Sequence, residues 1–296
     1  MFKTATAFHI NEDTRTLFQD AASWLHLDDP LPMGMAWSKM GIEPLSTGGA
    51  FIDVQGAVYF EVAKGKRVLP SSTIKREVAT RLKEYTANGE TVSRALKGEI
   101  TSEYLGEALP NAPVTVTKIP CVMYGHMLYI GASSVKLVDD VMSYLRSLEP
   151  FVATRLNLRD KYQRFLNDVA LQDVRSDLHV DGSSAKIQDA SGKKISISNM
   201  GGDVGDLQTL LEQGYNVVAL NSYYKPCNDI NAVPSSVFKL TDVGTVVGLK
   251  CMFVNENDDG DALDQAGLIL IMANELRLIY GVICAQEDPI EKVSEL

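Results

Sequence analysis

The chain has 296 residues, 45% of them hydrophobic and 7% aromatic, enough to bury one large core or two smaller ones and to exclude a disordered chain. A net charge of −10, from 28 Lys and Arg against 38 Asp and Glu, opposes nucleic-acid binding unless cations are gathered in one place. No window reaches the roughly 18 uninterrupted apolar residues of a spanning helix, because Asn274, Glu275 and Arg277 separate the apolar runs that end at Ala273 and resume at Leu278. The expectation is a protein that does not cross a membrane. At the N-terminus Lys3, His9, Glu12 and Asp13 leave no apolar leader, which implies a protein that stays in the cytoplasm where it is made.

In chain order, Phe51–Val54 and Ala57–Val62 read as a hairpin around Gln55-Gly56. After Leu69-Pro70, Ser71 and Ser72 are placed to cap a helix with Ile74, Val78, Leu82 and Tyr85 on its apolar stripe. Lys75, Arg76 and Lys83 share another face, and Asn88-Gly89 ends the helix. A polar helical excursion over 91–109 follows, closed by Pro110 and Pro113.

Val114–Ile119, Val122–Tyr124 and Met127–Ile130 form the next β unit, with Gly125-His126 as its turn. Ser133-Ser134 open a helix carrying Val138, Val141, Met142, Leu145 and Leu148 on one side, and Glu149-Pro150 stop it. Residues 155–171 read as a helix with Arg155, Arg159, Lys161 and Arg164 as a second basic cluster, and 182–191 as turn-rich. Strands are expected at Ile195–Ser198, Asn216–Leu220, Val237–Leu240 and Val246–Phe253, with a helix at Val204–Gln213 stopped by Gly214. A last helix over 262–284 is apolar on several faces, so it is either deeply buried or covered by a partner. The whole predicts an α+β fold divided as 1–70, 71–113, 114–200 and 201–296.

Chemistry-bearing motifs are scarce. Cys121, Cys227, Cys251 and Cys284 lie far apart, as free thiols rather than a disulfide framework. His9, His26, His126 and His179 show no ligand spacing, so neither zinc nor any other cofactor is implied. Gly201-Gly202-Asp203-Val204-Gly205 precedes a helix but fits no nucleotide-phosphate loop, and the acidic run from Asn255 to Gly260 has Ala266 where a calcium loop needs Glu. No GxSxG elbow occurs, Asp139-Asp140 lies within a helix where neighbours point about 100° apart, and Tyr223-Tyr224-Lys225 fits a packed strand end better than a base-stacking platform. The expectation is a binding protein, not an enzyme.

Charge is distributed unevenly. From Glu61 to Lys97 there are nine cations (Lys64, Lys66, Arg67, Lys75, Arg76, Arg81, Lys83, Arg94, Lys97) against four acids, while from Asn255 to Leu296 ten acids face two cations.

Several segments, in order, resemble the bacterial recombination-associated RdgC family. They are Lys39-Met40-Gly41 with Pro44; Lys64 to Arg67 leading into Val68-Leu69-Pro70-Ser71 and Ile74-Lys75; Leu128–Ile130 with Ala132-Ser133-Ser134; Leu211-Glu212-Gln213-Gly214; and Met272-Ala273-Asn274-Glu275-Leu276. The resemblance implies an elongated, horseshoe-shaped α+β subunit that closes as a ring-shaped homodimer around duplex DNA. It further implies sequence-independent binding, in the cytoplasm or nucleoid, and restraint of a RecA-type recombinase. The implied DNA-contacting residues are Lys64, Lys66, Arg67, Lys75, Arg76, Lys83, Arg94 and Lys97, facing phosphate rather than base edges.

Two departures stand out. Leu109-Pro110-Asn111-Ala112-Pro113 lacks the cations and aromatics of the family's projecting finger, and Ser198-Asn199-Met200-Gly201-Gly202 lacks its basic stretch. They leave open a divergent, phage-encoded member that keeps the ring but contacts a protein partner. The alternative function is therefore an inhibitor of a recombinase or nuclease acting through its acidic C-terminal region. A metal-dependent nuclease has no motif in its favour.

Overall fold

The structure, a computed structural model, describes residues 2–10, 21–89, 91–149, 151–171, 177–198, 205–226, 233–252 and 265–285. The fold is α+β, and its elements run in the order β1 (Thr4–Ile10), α1 (Ala21–Trp24), β2 (Ser38–Ile42), β3 (Phe51–Val54), β4 (Ala57–Arg67), α2 (Ser71–Ala87), α3 (Arg94–Ala108), β5 (Val114–Tyr124), β6 (Met127–Ile130), α4 (Val135–Leu148). There follow β7 (Ala153–Arg155), α5 (Leu158–Lys161), α6 (Gln163–Ala170), β8 (Leu178–Gln188), β9 (Lys194–Ser198), α7 (Gly205–Glu212), β10 (Asn216–Tyr224), β11 (Ser236–Thr241), β12 (Thr245–Cys251) and α8 (Gln265–Cys284). They fall into two compact units, one of residues 1–24, 52–59 and 120–296, the other of residues 25–51 and 60–119.

The first unit is a long antiparallel sheet whose neighbours run β5, β6, β1, β12, β11, β10, β8, β9. β1 is its apolar centre, with Ala5, Ala7, Phe8 and Ile10 buried. One of its edges pairs with β6, and the other is shared by β12, opposite Thr4 to Thr6, and β7, opposite Phe8 to Ile10. That sharing trims the start of the expected helix over 155–171, most of which forms as the two helices α5 and α6. Residues 153–155 are drawn into the sheet because the amides and carbonyls of β1 beyond Thr6 need partners, and only afterwards does the chain form α5 and α6.

The expected basic cluster is split, with Arg155 on β7 and Arg159 on α5. Arg159 is tied to the buried Asp242, its Nε 2.8 Å from Oδ2, and Arg164 stands 4.0 Å from Asp168. The Nε and Nη2 of Arg155 are buried without a hydrogen-bond partner.

The turn expected over 182–191 shrinks to residues 189–192, where Asp189 Oδ1 accepts from the amides of Ser191 and Lys193, each at 2.9 Å. β8 keeps strand geometry through its Gly-Ser stretch because β9 and β10 pair with it on either side, and register shifts against β10 absorb the mismatch. The other expected strands match within a few residues, whereas β1 and β2 have no counterpart among the expected strands. β10 extends to Tyr224, where Tyr224 is buried and Tyr223 stacks on His179 at 5.1 Å, the packed strand end expected. Phe253 and residues 199–204, 227–232 and 255–264 lie outside the described residues, and with them the glycine run, Cys227 and the calcium-like loop.

By length and composition α8 could cross a membrane, but Ile269, Met272, Leu276, Ile279, Tyr280 and Ile283 are buried in the first unit. Tyr280 donates to the carbonyls of Gly244 at 2.7 Å and Ala5 at 3.3 Å, and its ring lies 5.7 Å from Tyr129. A core helix whose tyrosine reaches both β1 and the turn between β11 and β12 is a structural pin. Cys121 and Cys251 are free and buried, and Cys284 is half-buried. Burial pushes the Cys251 thiol up to about 12, so it stays protonated and is not a nucleophile.

At Gly244 the chain needs φ +73°, and a Cβ there would overlap the carbonyl of Leu156. Gly248 has φ +68° but open space around it. Gly244→Ala should therefore cost about 3 kcal/mol or more, and Gly248→Ala about 1 kcal/mol, measured by urea unfolding. Equal losses at the two positions would show that the contact with Leu156 yields without cost.

Candidate nucleic-acid interface

The second unit is built on β2, β4 and β5, with the helical hairpin α2–α3 inserted between β4 and β5. β2 pairs antiparallel with β4, placing Ser38 opposite Lys66 and Met40 opposite Lys64. This unit carries eleven Lys and Arg against ten Asp and Glu, whereas the whole chain carries 28 against 38. The chain's acidity therefore lies elsewhere, and the local balance here is decided by how the ten acids are spent.

Helix α2 begins at Ser71 itself. Pro70 is its N-cap and no side chain caps it, which corrects the expected capping role of Ser71 and Ser72; the carbonyl of Pro70 instead accepts from the Thr73 and Ile74 amides. Val78 is buried and Ile74, Leu82 and Tyr85 are half-buried, so the expected apolar stripe faces inward. The helix ends at Asn88, and Gly89 supplies the φ of +84° that turns the chain. Ser93 then caps α3, its hydroxyl accepting from the Leu96 amide at 3.1 Å.

The two helices are joined by Arg81, whose guanidinium bonds Glu107, stands 3.9 Å from Glu103 and lies over the Tyr104 ring at 5.5 Å. The hydrogen bond from Arg81 holds the Glu107 carboxyl below its ordinary range. On the strands, Lys118 bonds Glu43 at 3.0 Å and Glu61 at 3.5 Å, the first contact raising the lysine above its ordinary value.

These surface pairs engage four of the unit's ten acids and two of its cations. Lys75 and Lys83 are exposed and form no ion pair with a described residue, and Arg76 makes only a 3.2 Å contact with its neighbour Glu77. Around a helix turning about 100° per residue, all three lie within about 100° of one another, with Lys75 and Lys83 about 12 Å apart along the axis. Lys66, Arg94 and Lys97 are exposed and unpaired among the described residues, and Lys64 is half-buried. Arg94 and Lys97 stand in the first turn of α3 with no acid there, against the helix dipole at a cost of about 0.3–1 kcal/mol each, which a bound anion would relieve.

Arg67 does not belong to this surface. It is 6% exposed, and its guanidinium donates to the carbonyls of Leu109 at 2.6 Å, Pro110 at 2.7 Å, Pro32 at 2.6 Å and Ala36 at 3.2 Å. Its donors are taken by backbone, so it holds the end of α3 and the segment before β2 against β4. Among the residues singled out from sequence it is the one placed inside. A run of cations does not reveal which member faces inward until its acceptors are known.

That clamp also shapes a surface not foreseen from sequence. Between the carbonyls of Pro32 and Ala36 the chain makes a turn, the Ala36 amide donating to Met33 O at 3.1 Å and Gly34 taking φ +52°. Met33, Met35 and Trp37 are 77%, 52% and 42% exposed. The cluster of Pro, Gly, Met and Trp between Pro30 and Trp37 was the available signal.

Among the described residues, no group of three or more His, Cys, Asp or Glu could hold a metal ion. The arrangement offers exposed cations to phosphate-sized anions.

Replacing Arg67 with Ala would take its donors from the carbonyls of Pro32, Ala36, Leu109, Pro110 and Ala112 and should lower stability by about 3 kcal/mol in urea unfolding. Arg67→Lys should recover little, because an ammonium cannot span acceptors held in a planar fork. Full rescue by Lys would show that charge, not geometry, is what the site needs.

A family model described as "RdgC: Putative exonuclease, RdgC" matches residues 1–240, and over that share of its length the chain belongs to this family. No curated protein matches it.

Proposed function

We propose that this RdgC-family chain is a non-enzymatic protein that binds duplex DNA without regard to sequence, encircles it as a homodimer and restrains a RecA-type recombinase. The observation that carries the proposal is the arc of α2 where Lys75, Arg76 and Lys83 stand exposed within about 100° of one another, Lys75 and Lys83 without an ion-pair partner among the described residues and Arg76 beside Glu77. Phosphate binding depends on the local potential and on counterion release, so an acidic chain binds DNA where its cations are gathered. Lys66, Arg94 and Lys97 extend the surface, and Lys64 lies two residues from Lys66 on the same strand face. Lysine and arginine on phosphates carry no base information, hence the absence of sequence preference.

Replacing Lys75, Arg76 and Lys83 together by Glu should weaken binding to unrelated duplexes alike. The corresponding Ala substitutions should flatten the dependence of log K on log salt by about 0.9 for each phosphate that is no longer neutralised. Binding of a folded triple variant with unchanged affinity and salt slope would remove α2 from the interface.

The family's description names an exonuclease, and hydrolysis is tested directly. Linear and nicked duplexes incubated with the purified protein and Mg²⁺ should remain intact. Shortening of DNA ends that follows the protein peak through repurification would replace the binding reading with a nuclease one.

A further inference from the structure

The flank of the first unit's sheet formed by β12, β11, β10, β8 and β9 carries charge of the opposite sign to the chain. These five strands hold four lysines, Lys186, Lys194, Lys239 and Lys250, and a single acid, Asp181, whereas the whole chain has 28 Lys and Arg against 38 Asp and Glu. The lysines' neighbours along the strands, Ala185, Ile187, Phe238, Leu240 and Leu249, are buried, so strand alternation turns Lys186, Lys239 and Lys250 to the other face. Lys194 joins them opposite Gln188, two residues beyond Lys186 on β8. Lys186, Lys194 and Lys250 are exposed and Lys239 is half-buried, and none of the four forms an ion pair with a described residue. They lie far apart in sequence and only strand pairing gathers them, so no cationic run announces this face.

Register places an aromatic pair among these cations. One outward row runs His179, Tyr223, Val237, Lys250 across β8, β10, β11 and β12, and the next sets Asn221 opposite Lys239. Tyr224 packs inward as the strand end, whereas Tyr223 stands on the outward face, half-buried against His179. Their ring centroids are 5.1 Å apart with the planes at 15°, and His179 Nε2 lies 3.1 Å from the Lys225 carbonyl, which anchors the pair. His179 therefore takes one face of the Tyr223 ring. Toward the other face the row continues with the small side chain of Val237 and then Lys250, two strands or about 10 Å from Tyr223. Lys239 is the diagonal neighbour of Tyr223, about 7–8 Å away. A flat ring laid over Val237 extends the stack and comes to lie between two unpaired lysines.

We infer that the outward face of β8 to β12 binds single-stranded DNA, with a base stacked on Tyr223 over Val237 and the flanking phosphates on Lys239 and Lys250. A stacking ring beside cations fits a polyanion that carries planar groups, which is the chemistry of an unpaired nucleic-acid strand. A duplex cannot use the slot, because its bases are already stacked on one another and would have to be extruded first. Every base has a π-face and lysine answers only to charge, so the site accepts any sequence. Surface, unit and ligand all differ from the duplex contact proposed for α2, and only the choice of DNA over RNA rests on that reading.

Fluorescence anisotropy of the full-length protein with a thymidine oligonucleotide tests the site, and an abasic oligodeoxynucleotide of the same length reports the phosphate contacts alone. Tyr223→Ala should weaken binding of the thymidine strand about 5- to 150-fold and leave the abasic strand unchanged, while Tyr223→Phe keeps full affinity. Lys239→Ala combined with Lys250→Ala should weaken both strands and flatten the dependence of log K on log salt by about 0.7 per lost phosphate contact. Circular dichroism checks that each variant is folded. Irradiation of the unmodified protein with a 5-iodouracil oligonucleotide needs no variant, and the crosslink should map to the peptide that contains Tyr223.

Unchanged affinity of a folded Tyr223→Ala variant for the thymidine strand, equal losses for the thymidine and abasic strands, or crosslinks that all fall outside β8 to β12 would overturn the stacking site and leave the α2 contact standing. Tighter binding of the matching RNA oligonucleotide would overturn the choice of ligand. Replacement of Lys75, Arg76 and Lys83 by Glu should lower duplex affinity and spare the thymidine strand. Duplex binding that survives that replacement, in a protein whose single-strand binding still depends on Tyr223, would count against the α2 contact alone.

Discussion

The geometry of the candidate DNA-binding unit depends on a single buried cation. Arg67 sits at the end of β4, where the chain leaves the sheet for the helical hairpin, and its guanidinium gathers carbonyls from two segments: Pro32 and Ala36 before β2, and Leu109 and Pro110 after α3. Backbone carbonyls at a helix end and in a tight turn lack partners of their own, and leaving them dry inside the protein would cost more than any one contact returns. One planar five-donor group satisfies several at once, which neither lysine nor a neutral side chain could do. Both the entry and the exit of the hairpin are thereby fixed. The Val68 amide, bonded to Pro113 O at 2.8 Å, closes the same corner.

From this fixed corner follows a division of labour among the cations. Arg67 neutralises no acid and stabilises backbone. Arg81 and Lys118 neutralise Glu103, Glu107, Glu43 and Glu61 and tie helix to helix and strand to strand. Surface ion pairs of this kind add little to stability, about 0–1 kcal/mol, but they decide which charges are left to act at a distance. What remains outward is Lys75, Arg76 and Lys83 on α2, with Lys66, Arg94 and Lys97 nearby in sequence. The unit's near balance of eleven Lys and Arg against ten Asp and Glu, in a chain of 28 against 38, thus leaves Lys75 and Lys83 facing solvent without an ion-pair partner among the described residues.

How much of this was legible in the sequence differs from level to level. The hairpin at Gln55-Gly56, the stripe of α2, its stop at Gly89 and the helix α4 could be read from periodicity and glycine, because in each the local preference and the tertiary environment agree. The β7 segment could not. Helical spacing from Arg155 onward is real, but the open edge of β1 is a demand set by residues some 145 positions away, and it prevails over local propensity. Arg67 was misplaced for a related reason: in Lys64-Gly65-Lys66-Arg67 the alternation of a strand separates Lys66 from Arg67 by face, yet nothing local says which face is covered. The clamp that covers it is assembled from loops that carry no pattern of their own, which is also why the exposed turn around Met33 escaped notice.

The proposed phosphate-facing surface and the buried helix α8 make opposite physical demands. A phosphate contact needs unpaired charge, water and long flexible side chains, and it loses strength as salt rises. A core helix needs uncharged residues and close packing, and salt does not weaken it. α2 turns Lys75 and Lys83 to solvent, whereas α8 buries Ile269, Met272, Leu276, Ile279 and Ile283. Salt should accordingly weaken the proposed DNA contact while the helix that pins the first unit stays in place.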